Sequence, residues 1–145
     1  MPKAPSPAKP MDSACEILLS ARRIAVLGMS PKAHRTSHAI AMYMRGAGYE
    51  IIPVNPGHDM IEGLDCYRSL EAIPEPVDIV DVFRGERYQH EVCADVLAMK
   101  TPPKAVWFQL NAGGEEVEGK LRDHGIEVFV DSCIKVVHSV CVGRG

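Results

Sequence analysis

"RRIAVLGMSPKAHRTSHAI", residues 22–40, is the stretch that decides the fold. Ile24 to Leu27 form a continuous apolar run that stops at Gly28, the pattern of a strand buried on both faces in a parallel sheet. A helix follows over "TSHAIAMYMRGAG", with Thr36 or Ser37 available to cap it and Gly46 or Gly48 to end it. Strand, glycine turn and helix in that order create an anion site, because the first helical amides are unpaired and the dipole end is positive. The dinucleotide fingerprint G-x-G-x-x-G is nevertheless incomplete. Its second and third glycines would fall on Ser30 and Ala33.

Beyond this unit the chain alternates. "YEIIPVNP" reads as a second strand stopped by Pro56, "VDIVDVF" as a third, "KAVWFQL" as a fourth and "IEVFVD" as the last. Helices are expected over "GERYQHEVCADVLAMK", with Val92, Val96, Leu97 and Met99 as its buried stripe, and over "EEVEGKLRDHG". "CIKVVHSVCVGRG" supplies a final helical turn, and residues 57–76 a loop with one brief extended piece and a turn at "SLEAI". Helical returns of this length favour right-handed parallel βαβ units. The expected fold class is therefore α/β: a Rossmann-like, doubly wound, mainly parallel sheet with helices on both faces, a three-layer α/β/α arrangement.

The Pro/Ala/Lys-rich opening cannot bury enough surface to order itself, so residues 1–11 are expected to be a disordered tail and 12–145 one domain, with a short helix over "DSACEILLSA". A formal charge of -3 gives no electrostatic reason to expect a nucleic-acid partner. No run of 18 apolar residues and no signal-peptide core points to a membrane. The five cysteines, Cys15, Cys66, Cys93, Cys133 and Cys141, are odd in number and contain no C-x-x-C pair, the pattern of reduced thiols in a cytoplasmic protein. The six histidines form no H-E-x-x-H motif, so no metal site is expected.

In an open parallel sheet the ligand lies at the carboxyl ends of the strands, beside the topological switch point. At the first end Gly28 permits the tight turn, Ser30 offers a hydroxyl, and Lys32, His34 and Arg35 add cationic or donor groups. An NAD site would have an acid at the second end to hold the ribose; Val54, Asn55 and Pro56 stand there instead. That end suits a nucleotide whose ribose carries a phosphate, coenzyme A or NADP.

Four blocks, "GMSPKAHRTSHAIAMYMRGAGYEIIPVNP", "VDIVDVFR", "VWFQL" and "GIEVFVDSCIKVVH", follow in an order that resembles the stand-alone CoA-binding domain family. These are small Rossmann-like proteins related to the CoA-binding domain of succinyl-CoA synthetase alpha subunits. The resemblance covers Ile24 to His138 and implies a five-stranded core that binds coenzyme A or an acyl-CoA across the strand ends. It assigns Gly28, Ser30, Arg35 and Ser37 to the first loop, Pro53, Val54, Asn55 and Pro56 to the second, Phe83 and Arg84 to the third strand end and Gln109 to the fourth. Lys32 joins the cofactor-binding set as a further cation of the first loop. One departure stands out: the family's glycine after the Gln-Leu pair is Asn111 here.

For catalysis the candidates are Cys133, Asp131 and His138, since a thiolate beside a histidine could attack a thioester. Spacing alone does not bring them within hydrogen-bond reach, so no catalytic residue is assigned. The synthetase relatives use a phosphohistidine on a later domain, for which 145 residues leave no room, so ligation by this chain alone is not expected. Asp78 and Asp81, three apart, fall on opposite faces of a strand and make no carboxylate pair, with Asp81 expected to have a buried backbone partner. Trp107 reads as packing. The expected function is a non-catalytic carrier, sensor or regulatory module for coenzyme A. The alternatives are an NAD(P)-dependent oxidoreductase, a thioester-processing enzyme, or an interaction module that kept only the fold.

Overall fold

The computed structural model describes residues 10–109 and 114–144. Five strands form one sheet: β1 (Arg23–Leu27), β2 (Glu50–Val54), β5 (Ile79–Val82), β6 (Ala105–Phe108) and β7 (Glu127–Val130). A small antiparallel hairpin, β3 (Met60–Ile61) and β4 (Leu64–Asp65), stands apart from it. The sheet order is β2-β1-β5-β6-β7 and every pair in it is parallel. From β1 the chain goes outward to β2 and then crosses back to β5, which puts the switch point between β1 and β5.

The central strands are apolar on both sides because both faces are covered. Ile24 and Val26 of β1 join one cluster with helices α1 (Pro10–Ser20), α2 (Thr36–Gly46) and α5 (Ile134–Arg144). Ala25 and Leu27 join the other, with α3 (Gln89–Leu97) and α4 (Glu115–Asp123). This is the α/β/α layering of the sequence reading. Val92 and Val96 are buried in the second cluster while Leu97 and Met99 pack against it. A 3-10 turn, Glu86–Tyr88, takes up the first residues of the stretch expected as helix, and another, Leu70–Ala72, forms the turn at "SLEAI".

Several expectations need correction. Pro10 and Met11 belong to α1, whereas residues 1–9 of the expected tail lie outside the described residues, as does the turn at Asn111. The C-terminal stretch makes a complete helix rather than a single turn. Neither Thr36 nor Ser37 caps α2: Arg35 occupies that position without a side-chain cap, because the Ser37 hydroxyl is taken by the amide of Ser30. The thiol reading also changes, since Cys15 of α1 and Cys141 of α5 are joined in a disulfide across a sequence separation of 126. Those cysteines look isolated along the chain but meet where α1 packs on α5, so the cysteine pattern no longer argues for a cytoplasmic protein. No helix among the described residues is long and apolar enough to cross a membrane.

Asp81 is the polar exception in the sheet. It lies between Val26 and Trp107 in register, is 1% exposed, and neither its Oδ1 nor the Nε1 of Trp107 has a hydrogen-bond partner. Among the described residues the expected backbone partner is not found for Oδ1, since ladder bonds already engage the neighbouring strands. Burial pushes the Asp81 carboxyl well above its ordinary value of 3.8. Between that value and the raised one, the folded chain keeps a proton that the unfolded chain releases, so stability falls as pH rises through this window. Asp81→Asn removes the titration and is expected to raise stability at neutral pH by about 1–2 kcal/mol, with the advantage vanishing below the ordinary carboxylate range. Thermal melts of both proteins from acid to neutral pH check this; parallel curves would contradict it.

Candidate functional site

The ends of β1, β2 and β5 converge at the switch point. Gly28, with φ of 88°, leaves β1 in a left-handed conformation, and its amide donates to the Val54 carbonyl at 2.9 Å. On the other side the Phe83 amide donates to Leu27 at 2.8 Å. A side chain at position 28 would meet the Phe83 carbonyl, so the backbones of β1 and β5 can approach this closely only at glycine.

The loop from Met29 to Arg35 then delivers the chain to α2. Its shape is fixed by side-chain hydrogen bonds. Ser30 donates its amide to Ser37 Oγ at 3.0 Å, and Ser30 Oγ accepts from the Lys32 amide at 3.1 Å. Asn55 Nδ2 donates to the Met29 carbonyl at 3.0 Å, while Asn55 Oδ1 accepts from the Gly57 amide at 2.9 Å. Each serine oxygen here serves as an acceptor, which leaves its hydroxyl proton to donate.

Beyond the loop lies a cleft of about 500 Å³, lined by Gly28, Ser30, Pro31, Lys32, Arg35, Thr36, Ser37, Asn55 and Phe83. Three features of its lining would favour an anion. The first amides of α2 have no intrahelical acceptor and no side-chain cap, so the positive end of the helix faces the opening. Lys32 and Arg35 are exposed cations at its rim. No carboxylate lines it. A smaller hollow, about 200 Å³ between residues 70–76 and 99–101, lies toward the strand starts and is lined by Glu71 and Glu75, which would repel an anion.

Of the residues assigned from the sequence, the cleft gathers Gly28, Ser30, Lys32, Arg35, Ser37, Asn55 and Phe83. Pro53 and Val54 are buried within β2, where they frame the site without facing it. Pro56 is exposed beyond the strand end. Arg84 lies beside Gly28 and over the Tyr88 ring, 4.3 Å from its centroid. Gln109 is engaged elsewhere: its Oε1 accepts from the Ile134 amide at 2.8 Å and so caps α5. Pro31 and Thr36 line the cleft without having been assigned to it, although the sequence offers Thr36 as a helix cap, and the signal that could have placed it there is its position in the first turn of α2.

Among the described residues no hydrogen bond joins Cys133, Asp131 and His138. Cys133 sits at the start of α5, with its carbonyl accepting from Val137. His138 is buried on the same helix, where its Nδ1 lies 3.1 Å from the Tyr43 hydroxyl and its ring meets the edges of Tyr43 and Tyr49. Burial lowers its pKa. Among the described residues no group of three or more His, Cys, Asp or Glu side chains is placed to hold a metal.

The sequence pattern that defines the CoA binding domain matches residues 22–139. The chain belongs to the CoA-binding domain family. Its uncharacterised relative YneT of Bacillus subtilis (strain 168) is 42% identical over 125 residues, which cover 86% of this chain and 91% of that protein. An ADP-forming acetate–CoA ligase I of Archaeoglobus fulgidus is 31% identical over 141 residues, 88% of this chain but 19% of the ligase, so this CoA-binding domain corresponds to one part of a larger protein. Among solved structures, a Thermus thermophilus protein, cell-free ID.343, superposes with a TM-score of 0.82 at 34% identity, covering 92% of this chain and 99% of that one. The cleft suits the group that the family implies: uncapped amides, serine hydroxyls and two cations match a diphosphate.

Proposed function

We propose that this chain binds coenzyme A or an acyl-CoA in the cleft at the β1/β5 switch point and works as a carrier, sensor or regulatory module. The carrying observation is the uncapped start of α2, which opens with Lys32 and Arg35 onto a cleft free of carboxylates. The diphosphate of the ligand takes those amides and hydroxyls, and Arg35 supplies a charge-assisted contact. The second strand end carries Asn55 and Pro56 rather than an acid, which favours a phosphorylated ribose over the free diol of NAD. Neither Cys133 nor His138 lines the cleft, and His138 Nδ1 lies against the Tyr43 hydroxyl.

Calorimetric titration with coenzyme A, dephospho-CoA, NAD and NADP tests the reading. Coenzyme A is expected to bind most tightly. Binding of none of the four, or a preference for NAD, would overturn it. Arg35→Ala is expected to weaken coenzyme A about tenfold, the equivalent of one charge-assisted hydrogen bond at an exposed rim. An unchanged affinity would remove Arg35 from the site.

A further inference from the structure

The loop that faces the cleft exposes a problem for an anion ligand, because Met29 and Ser30 each carry a carbonyl whose negative end would repel a diphosphate. Both are occupied from elsewhere. The Met29 carbonyl accepts from Asn55 Nδ2, and the Ser30 carbonyl lies 2.9 Å from Nδ1 of His38. His38 is 3% exposed and stands on the first turn of α2. A carbonyl oxygen only accepts, so Nδ1 donates this bond. The other ring nitrogen, Nε2, lies 3.0 Å from Oε1 of Glu62, a contact that places a second proton between them.

Glu62 stands in the turn between β3 and β4, where its φ is 54°, a left-handed conformation that a glutamate adopts at a cost. The hairpin is in turn tied to the end of β2. Asn55 donates its amide to Tyr67 at 2.9 Å and Tyr67 donates to Pro53 at 3.0 Å. Successive carbonyls of the cleft loop are thus held by two side chains, Asn55 and His38, that both lead back to the same hairpin region.

We infer that His38 and Glu62 are positioning residues of the coenzyme A site, in which the hairpin carboxylate orients a buried imidazole and the imidazole holds the Ser30 carbonyl away from the diphosphate. This rests on the proposed function. It assigns the β3–β4 hairpin, which does not line the cleft, a part in ligand affinity.

The test is calorimetry of the full chain with coenzyme A and with ADP. His38→Leu keeps the bulk but frees the Ser30 carbonyl, and is expected to weaken both ligands about tenfold. His38→Asn puts an amide donor where Nδ1 sits, and is expected to recover affinity to within about threefold of the original. Glu62→Ala, an exposed change at the hairpin, is expected to cost about threefold, and next to nothing when His38 is already leucine. If the unaltered protein binds coenzyme A and His38→Leu binds it equally well, or His38→Asn is as weak as His38→Leu, the inference fails while the proposed function stands. If His38→Leu does not fold, an unchanged affinity in Glu62→Ala is sufficient to overturn the inference. Absence of binding in the unaltered protein sinks both.

Discussion

Reduction of the Cys15–Cys141 disulfide is expected to lower the melting temperature by on the order of 10 °C, through a loss of about 2–4 kcal/mol. The bond joins residues separated by 126 positions and so closes nearly the whole domain into one loop. A cross-link of that span removes much of the freedom of the unfolded chain, which is the state it chiefly acts on. It also anchors α1. That helix has 11 residues, too few to persist alone, and is held by Ala14 and Leu18 packing in the cluster that contains Val137 and Ile134 of α5. Melts with and without a reductant, repeated on Cys15→Ser, separate this bond from the free thiols. Cys66 and Cys93 are buried, and burial raises both thiols. A reductant that leaves the melting temperature unchanged would show that the bond contributes nothing, and a matching fall in Cys15→Ser would assign the loss to it. Coenzyme A binding is expected to persist in the reduced protein, because neither Cys15 nor Cys141 lines the cleft.

Gly28→Ala is expected to reduce stability by about 2 kcal/mol and coenzyme A affinity by more than about tenfold. Two costs add at this position. The left-handed φ of 88° is open to glycine and strained for alanine. The new Cβ would also stand 3.2 Å from the Phe83 carbonyl oxygen and 3.3 Å from its carbon, both backbone atoms at the end of β5. Relief requires β1 and β5 to part at their carboxyl ends, where the cleft lies. Affinity should therefore fall more than global stability alone would account for. The comparison that decides is Gly48→Ala, also at positive φ but with open space around the added carbon. It carries the backbone strain without the crowding, so it should lower stability and leave coenzyme A binding unchanged. Equal binding by Gly28→Ala and the unaltered protein would show that the close approach does not shape the site.

Asp78 contrasts with Asp81 in how it answers to burial. Burial alone would raise Asp78, but the amides of Arg22 and Arg23 and the charge of Lys104 outweigh it and lower the carboxyl below its ordinary value. Its contribution is present above the ordinary carboxylate range and is lost as pH falls through the lowered value. The two aspartates thus pull stability in opposite directions, and only Asp81 works against the fold at neutral pH.

What the amino-acid sequence determined by itself was local. The runs at 24–27, 51–54, 79–82, 105–108 and 128–130 are, Asp81 apart, apolar without alternation because helices cover both faces, and that pattern is written residue by residue. The Gly28 turn, the serines and the cations of the cleft loop lie within ten residues of one another, so their convergence was legible. So was the missing acid at the second strand end. Tertiary structure decided the rest. Cys15 and Cys141 meet only because α1 and α5 share a face of the sheet. Gln109 stands at a strand end, yet its Oε1 accepts from the amide of Ile134 at the start of α5, beyond the next helix and strand. Glu62 reaches His38 because the hairpin folds back along β2, and nothing near residue 62 announces that contact. Asp81 leaves its Oδ1 without a partner among the described residues, on strands that commit their backbone to the ladder on both sides. Periodicity records which face a residue takes, through the cost of exposing or burying it. It carries no record of which distant residue waits there, since that depends on the order in which the strands assemble.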